Sequence, residues 1–329
     1  MYDVVIIGGG PAGAAAAYRL TAAGKKVVVL EKEQFPRKKL CGGGVPAPVF
    51  QMFELDFSTV IDTWIRTVKF RYKNELSLYT HLPPETMAMV RRENFDSFLL
   101  YNSGAEIMCG FRVESIKQEN ELVEVVSSDG KRIRGRYAID ASGGNNRLTD
   151  TFWRSVSFET RPKRAKTRRE AVAVVDRLGT GDRITADKTT AVFEFGTVPG
   201  GYIWLFPKAD HFSAGAGMFC GGRADLRRSV KEFLESEGNS HKAMEGFSPK
   251  GTPVELPDLH RMIRYGRVLR VGEAASCVDP LIGEGIRYAI LSGMYAANAI
   301  IDGHISGYEK QVRRKIINDL KWARGLSRV

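Results

Sequence analysis

The sequence is poor in the residues that build metal centres and disulfide frameworks. Its 329 residues include four cysteines, Cys41, Cys109, Cys220 and Cys277, and five histidines. No two cysteines have C-x-x-C spacing, and scattered thiols of this kind fit a reduced, cytoplasmic chain. His81, His211, His241, His260 and His304 form no H-E-x-x-H or other ligand pattern, so no metal is expected. No apolar run approaches the roughly 18 residues that a membrane-spanning helix needs. The N-terminus enters "YDVVIIGGG" directly, without the basic and apolar regions of a signal peptide. Acidic residues are in deficit, 38 against 49 basic ones, a net charge of +11. Such an excess suits nucleic acid, an anionic membrane surface or a phosphorylated ligand, or serves solubility alone.

What remains is an ordinary globular balance, 43% hydrophobic and 26% charged. The length suggests one large domain with a second inserted in it. "DVVII" (Asp3 to Ile7) reads as a fully buried strand. "GGGPAG" follows, with Gly8, Gly10 and Gly13 in G-x-G-x-x-G register, then a helical "AAAAYRLTAAG" stopped by Gly24. "KKVVVLEKE" is the next strand and contains Glu31. In this order Gly8 makes the tight turn, Gly10 admits a pyrophosphate, and Gly13 lets the helix pack on the sheet. Glu31 is positioned to accept from ribose hydroxyls. The context is that of a dinucleotide site, open to FAD and NAD alike.

A second strand–turn–helix lies far along the chain. "RVLRVG" reads as a strand, "PLIGEG" as a turn and "IRYAILSGMYAANAII" as a long helix rich in small residues. Two such segments imply a cofactor clasped from two sides. Between them, "YIWLF" alternates as a strand with Tyr202, Trp204 and Phe206 on one face, and "FSAGAGMFC" reads as its partner. That aromatic face is either a wall for a long apolar ligand or an ordinary core face.

Several motifs carry a family resemblance. "VGEAASCVDPLIGEGI" resembles the second FAD motif of the flavoproteins that include aromatic hydroxylases, flavin-dependent halogenases and geranylgeranyl reductases. "VRRENFDSFLL" (Val90 to Leu100) resembles the R-x-x-F-D helix start of the same group. Pro199, Tyr202, Trp204, Phe206 and Pro207 fit P-x-x-Y-x-W-x-F-P, and with "CGGGV" this resembles the geranylgeranyl reductase family. Halogenases carry W-x-W-x-I-P, from which Tyr202 and Phe206 depart. "YAIDASGGNNRL" has Ser142 where hydroxylases have the aspartate of A-D-G-x-x-S, Asn146 for its serine, and Asp140 two places early. That motif also serves NADPH in hydroxylases, so its loss tells against direct use of NADPH. The stretch from Thr149 to Thr190 carries no motif.

The resemblance implies an α/β protein: a Rossmann-like FAD-binding domain of the glutathione-reductase/hydroxylase type with an inserted antiparallel-sheet substrate domain. The expected bounds are 1–60, 86–165 and 262–304 for the FAD domain, 61–85 and 166–261 for the substrate domain, and 305–329 for a basic C-terminal helix. FAD would meet Gly8, Gly10, Pro11, Ala12, Gly13, Glu31, Lys32, Cys41, Gly42, Gly43, Arg92, Ala141, Gly143, Gly272, Glu273, Pro280, Gly283, Glu284, Gly285 and Ile286. Within that set, Arg92 would reach the phosphates, Glu273 (aspartate in most relatives) the ribityl chain, and Gly283 to Ile286 the flavin ring. Phe95 and Phe98 pack their helix.

The implied activity is reduction of isolated prenyl double bonds on a lipid, quinone or chlorophyll-type carrier, or on a prenyl diphosphate. The alternatives are a flavin monooxygenase or halogenase using oxygen, and an electron-carrier flavoprotein. Cys41, Gly42, Gly43, Tyr202 and Trp204 are the catalytic candidates, with Cys41 either a proton donor or only a small residue that fits. The electron donor would be NAD(P)H or a reduced ferredoxin, and no nucleic-acid partner is expected. The C-terminal helix mixes Val312, Ile316, Ile317, Leu320 and Trp322 with Arg313, Arg314, Lys315, Lys321 and Arg324. It could rest on anionic lipid as a peripheral membrane contact or pack on the domain. Family members tend to run longer, which leaves the far wall of a substrate tunnel unspecified.

Overall fold

The structure is a computed structural model and describes residues 1–144, 147–158, 170–179, 187–219, 224–238, 247–255, 258 and 261–326. In chain order it begins with β1 (Tyr2–Ile7), α1 (Pro11–Ala22), β2 (Val27–Glu31) and β3 (Gly44–Pro46). Next come β4 (Ile61–Trp64), β5 (Thr67–Tyr72), β6 (Leu76–His81), β7 (Met87–Val90) and α2 (Arg92–Tyr101). Then β8 (Glu106–Cys109), β9 (Val113–Glu119), β10 (Leu122–Ser127), β11 (Arg132–Asp140) and α3 (Arg147–Phe158) follow. The middle holds β12 (Glu170–Gly179), β13 (Thr190–Phe195), β14 (Gly201–Pro207), β15 (His211–Met218) and α4 (Leu226–Ser236). The last part holds β16 (Lys250–Glu255), β17 (Arg264–Tyr265), β18 (Val268–Arg270), α5 (Ile286–Ile301), α6 (Tyr308–Val312) and α7 (Asn318–Leu326).

The first sheet runs β17-β18-β11-β1-β2-β8, with the antiparallel hairpin strands β9 and β10 attached through β11. Its centre is parallel: Val5 of β1 lies opposite Ala138 of β11 and Val28 of β2. The uninterrupted apolar runs of β1 and β2 require cover on both faces, and both faces are covered. Val4, Ile6 and Val29 pack under α1 and α5, while Val5, Ile7 and Leu30 pack with Phe152 and Trp153 of α3.

The two cofactor-type helices α1 and α5 lie against each other through small residues. Ala12, Ala14, Ala15, Ala16 and Ala17 are buried on α1, and Gly293, Ala296 and Ala297 on α5. A Cβ on Gly293 would stand 2.2 Å from the Ala12 carbonyl oxygen. Helix backbones meet this closely only where no side chain intervenes.

The second sheet runs β16-β12-β15-β14-β13-β5-β6. It is antiparallel except at one place, where β13 and β5 pair in parallel. A long connection separates these two strands, so a hairpin does not dictate their direction. One face is aliphatic, with Val192, Ile203 and Leu205 packed on Val230, Phe233 and Leu234 of α4. The other face is aromatic. A small third sheet, β3-β7-β4, joins the two parts of the molecule. Within the segment 61–85, β5 and β6 therefore enter the second sheet, whereas β4 pairs with β7.

The C-terminal segment packs on the core. Val312, Ile316, Ile317 and Leu320 are buried with α5, and the Tyr308 hydroxyl donates to the Arg270 carbonyl. Burial thus takes these apolar residues away from any lipid contact, and Trp322 stands apart at 80% exposed. Among the described residues, no helix is long and apolar enough to cross a membrane.

The α1–α5 contact yields a first prediction. Gly293→Ala should destabilise the fold by about 1–3 kcal/mol, the usual cost of overpacking, measured by chemical denaturation. A variant as stable as the parent would mean that this contact does not set the helix separation.

Candidate functional site

A cavity of about 1050 Å³ opens where the C-terminal ends of β1, β2 and β11 face α1 and α5. This edge of an α/β sheet is where ligands bind in doubly wound folds. Gly8 turns the chain out of β1 with φ +104°, and a Cβ there would stand 2.4 Å from the Ala141 carbonyl oxygen. Gly13 faces the Gly8 carbonyl oxygen so closely that a Cβ would approach to 2.0 Å. Helix α1 then begins at Pro11 with no side-chain cap on Gly10, and α5 begins at Ile286 with none on Gly285. Two helix N-termini, each with unpaired amides and the positive end of a helix dipole, therefore line one cavity.

Most of the residues expected at a cofactor reach this cavity. Gly8, Gly10, Pro11, Ala12, Glu31 and Lys32 line one end, and Cys41, Arg92, Ala141 and Gly143 the middle. Gly272, Glu273, Gly283, Gly285 and Ile286 line the remainder. Gly13, Gly42, Gly43, Pro280, Glu284, Tyr202 and Trp204 lie outside the lining. Asn146, Cys220, His241 and His260 lie outside the described residues.

Glu31 has two roles open to it. Its carboxylate accepts the Gly9 amide at 2.7 Å and the Glu33 amide at 2.9 Å, which pins the glycine-rich turn. Each oxygen keeps a lone pair for a ligand hydroxyl. Glu273 lies over Gly144, where a Cβ would stand 2.5 Å from its carboxylate, and pairs with Lys39 at 3.7 Å.

Arg92 is less free than its motif suggests. Its guanidinium donates to both oxygens of Asp96, at 2.8 and 2.9 Å, and also meets the Cys41 sulfur. Burial alone would lower its pKa, but Asp96 and Cys41 more than offset this and raise it further, so the group stays charged. Arg37 pairs with the same Asp96 at 3.2 Å, and its guanidinium would lie 3.2 Å from a Cβ on Gly10. Two arginines thus share one buried carboxylate beside the α1 N-terminus and leave a net positive charge there. Nothing in the sequence singled out Arg37, whereas Asp96 is the aspartate of the R-x-x-F-D helix start, four residues after Arg92.

Asp140 turns out to be a structural hub. Its carboxylate accepts from the Ser142 amide and hydroxyl, from Trp153 Nε1 at 2.8 Å and from Arg270 Nε at 3.4 Å. The acid at this place in the motif joins β11 to β18 and α3. Asp279, inside the second FAD-type motif but given no role there, shapes the other turn by accepting the Leu281 and Ile282 amides at 2.7 and 3.0 Å. Glu284 pairs with Arg287 at 3.1 Å, and its backbone carbonyl accepts the Asp279 amide at 2.7 Å.

The Cys41–Gly44 loop joins this polar cavity to the aromatic sheet face. A Cβ on Gly42 would stand 2.9 Å from the Phe206 ring and 3.2 Å from Trp204 Nε1. Tyr202 donates its hydroxyl to the Ile282 carbonyl at 2.5 Å. Gly43 holds φ +74°, and its amide donates to the Cys41 sulfur at 3.4 Å. Behind the loop sits Lys208, 3% exposed, whose Nζ donates to the Val90 carbonyl at 2.9 Å and the Gly43 carbonyl at 3.4 Å. Burial pulls this amine down from 10.5 to about 8, opposed by Cys41, Asp62 and Glu93 and assisted by Arg91. Cys277 is buried away from the cavity and pushed up to about 12 by that burial, which leaves its thiol inert.

Lys208 gives a pH-dependent expectation. The unfolded chain holds this proton up to 10.5 and the folded one only to about 8. Unfolded molecules therefore bind more protons in that window, and stability contributed here rises with pH across it. The cost of the buried charge below pH 8 is about 3 kcal/mol. The stability difference between Lys208→Met and the parent should shift by an amount of this order between pH 8 and 10.5 in urea titrations. Parallel curves would show that the amine does not titrate as its burial requires.

FAD fits the cavity on three observations: the two uncapped helix N-termini, the close backbone approaches at Gly8 and Gly13, and the Arg37–Arg92 pair beside them. Comparison with known proteins agrees. The model of the FAD dependent oxidoreductase family matches residues 3–146. An uncharacterized protein of Methanosarcina barkeri is 31% identical over 98% of this chain and 82% of its own length. A digeranylgeranylglycerophospholipid reductase of Methanococcus vannielii is 27% identical over 98% of this chain and 85% of its own. The crystal structure of a geranylgeranyl bacteriochlorophyll reductase-like protein from Thermoplasma acidophilum superposes with a TM-score of 0.82 at 21% identity, covering all of this chain and 88% of that one. The chain belongs to the FAD-dependent oxidoreductases and is similar over nearly its whole length to proteins named as geranylgeranyl reductases.

Proposed function

We propose that this enzyme hydrogenates isolated carbon–carbon double bonds of a prenyl group on a lipid, quinone or chlorophyll-type carrier or a prenyl diphosphate. The observation that carries this reading is the contact at Gly42, which follows the cavity-lining Cys41 and lies against the rings of Trp204 and Phe206. An alkene without a neighbouring carbonyl has no polar handle, so an apolar wall has to hold it in place.

When bound, FAD supplies the hydride. The protein's residues do the rest. The α1 N-terminus, Arg37 and Arg92 hold the diphosphate, Glu31 the ribose, and the Gly283–Ile286 turn at the α5 N-terminus the ring system. Gly13, Gly42, Gly43, Pro280 and Glu284 support these contacts from behind. Tyr202, Trp204 and Phe206, each 6% exposed, keep water from the reacting bond. Cys41 Sγ lies against the Gly43 amide and the Arg92 guanidinium. There it would deliver a proton to the second alkene carbon and be steadied by both donors as it does so.

The same reading divides the chain into a cofactor part around the first sheet and a substrate part around the second. The +11 charge favours an acidic electron donor such as a reduced ferredoxin, with NAD(P)H as the alternative. The enzyme would work in the cytoplasm and meet lipid carriers at the membrane surface.

Anaerobic photoreduction in the presence of a geranylgeranyl lipid tests the reaction. Flavin reoxidation with a product two hydrogens heavier per bond is expected. Oxygenated or chlorinated product in air, with no anaerobic turnover, would make it a monooxygenase or halogenase. A stable reduced flavin with no product would make it an electron carrier. For the sulfur, Cys41→Ala should lower kcat by about 10²–10⁴-fold with flavin content unchanged. Parental turnover in both Cys41→Ala and Cys41→Ser would reduce the thiol to a packing role.

A further inference from the structure

Exposed apolar side chains are unevenly spread over the molecule. Eight large ones stand out among the described residues, and four of them, Tyr72, Leu76, Leu78 and Tyr79, sit on the β5–β6 hairpin at 48% to 68% exposure. All six residues of β6 are exposed, and no described strand lies beyond it in the sheet. Proteins commonly blunt such an edge with charge or proline. The β6 sequence, LSLYTH, has no Asp, Glu, Lys, Arg or Pro.

One hydrogen bond fixes which way the backbone groups of β6 point. The Leu82 amide donates to the Arg66 carbonyl at 2.8 Å, on the β5 side. Direction alternates along an antiparallel strand, so Thr80, Leu78 and Leu76 also turn their amides and carbonyls to β5. Ser77, Tyr79 and His81 turn theirs outward. Side chains divide in the same way. Leu76, Leu78 and Thr80 share a face with Tyr72, Phe70 and Val68, their partners on β5, and Ser77, Tyr79 and His81 take the other face.

This edge complements itself. A second β6 can be laid antiparallel about a twofold axis that passes through Leu78, perpendicular to the sheet. Ser77 then lies opposite Tyr79 of the second copy, and the outward groups of both make a hydrogen-bonded pair. Leu78 meets its own counterpart in the non-hydrogen-bonded pair between, where side chains come closest. Leu76 meets Thr80, and Glu75, exposed in the hairpin turn, falls opposite the exposed His81. The apolar faces coincide, and an acid is set against an imidazole at each end. A bilayer would also cover the leucines, but it would leave the outward amides and carbonyls without partners in hydrocarbon. A second β6 satisfies both.

We propose that two copies of this chain associate through β6, joining their second sheets edge to edge across a twofold axis. The inference does not depend on the prenyl reaction. A pair of six-residue strands buries less than the roughly 1,600 Å² of a standard interface. The association is therefore reversible, with a Kd on the order of 10 μM.

Sedimentation velocity on the purified flavoprotein tests it. The parent should pass from monomer to dimer between about 1 and 100 μM. Leu78→Lys sets like charges side by side on the axis. Ser77→Pro removes an outward amide and leaves the β5 ladder intact. Each should weaken the dimer at least about tenfold, with circular dichroism and flavin content as in the parent. Cysteine pairing reads the register. Leu78→Cys should form a disulfide-linked dimer on mild oxidation, because its Cβ atoms face each other within about 5.5 Å. Leu76→Cys, about 14 Å from its own counterpart, should not. A parent still monomeric at about 100 μM, a dimer indifferent to both edge substitutions, or equal cross-linking of the two cysteine variants would overturn the proposal. A monomer that cosediments with phosphatidylglycerol vesicles and releases them in Leu76→Glu/Leu78→Glu would assign the hairpin to a bilayer and overturn it too.

Discussion

The site depends on how closely α1 and α5 approach each other. The first helix follows the opening strand and the second lies near the other end of the chain, yet Gly293 brings the α5 backbone onto the Ala12 carbonyl. The same Ala12 side chain meets the Gly272 turn, where a Cβ would stand 2.9 Å away. Alanines and glycines are used here because the helix axes have to lie close for both N-termini to open on one cavity. Each N-terminus alone is a weak anion site. Held on the same cavity they can receive an extended ligand whose negative charge is spread along its length.

A second constraint is the joint between polar and apolar halves. The loop from Cys41 to Gly44 touches both, two contacts fix it from different sides, and a third ties the aromatic sheet face to the turn before α5. Lys208 reaches from the end of β14 to the Gly43 and Val90 carbonyls. Gly42 lies against Trp204 and Phe206, and Tyr202 bonds across to Ile282 in the turn before α5. The second sheet is therefore registered against the cavity loops by hydrogen bonds as well as by burial. A buried ammonium is a costly way to hold a loop. It is acceptable here because carbonyl oxygens and nearby carboxylates compensate part of its charge.

How much of this was legible depended on distance along the chain. The glycine-rich turn, the acid of Glu31 and the G-E-G-I turn are local patterns, each set by what a few consecutive residues can do. Local alternation likewise placed Tyr202, Trp204 and Phe206 on one face. Arg37 and Lys208 were not legible, because each acts through a partner far along the chain that no spacing rule connects to it. Asp140 was conspicuous for standing two places early, but only its contacts with Trp153 and Arg270 explain why an acid is there. The small β3-β7-β4 sheet and the parallel pairing of β13 with β5 were hidden for the same reason. Strand periodicity states which face is apolar and is silent about which strand lies beside it.

The electrostatics of the Cys41 sulfur follow from this architecture. Arg92 could have been spent wholly on a ligand phosphate, but Asp96 holds its fork from behind and turns it partly toward the thiol. Arg37, sharing the same carboxylate, is then the arginine nearer Gly10 and the α1 N-terminus. One buried acid thus holds two cavity-lining arginines, Arg37 nearer Gly10 and Arg92 against the sulfur. Removing Asp96 would leave two adjacent cations without their shared counter-charge, so ligand binding and sulfur environment would change together. The Cys-Gly loop and the R-x-x-F-D helix start are, in this sense, one device.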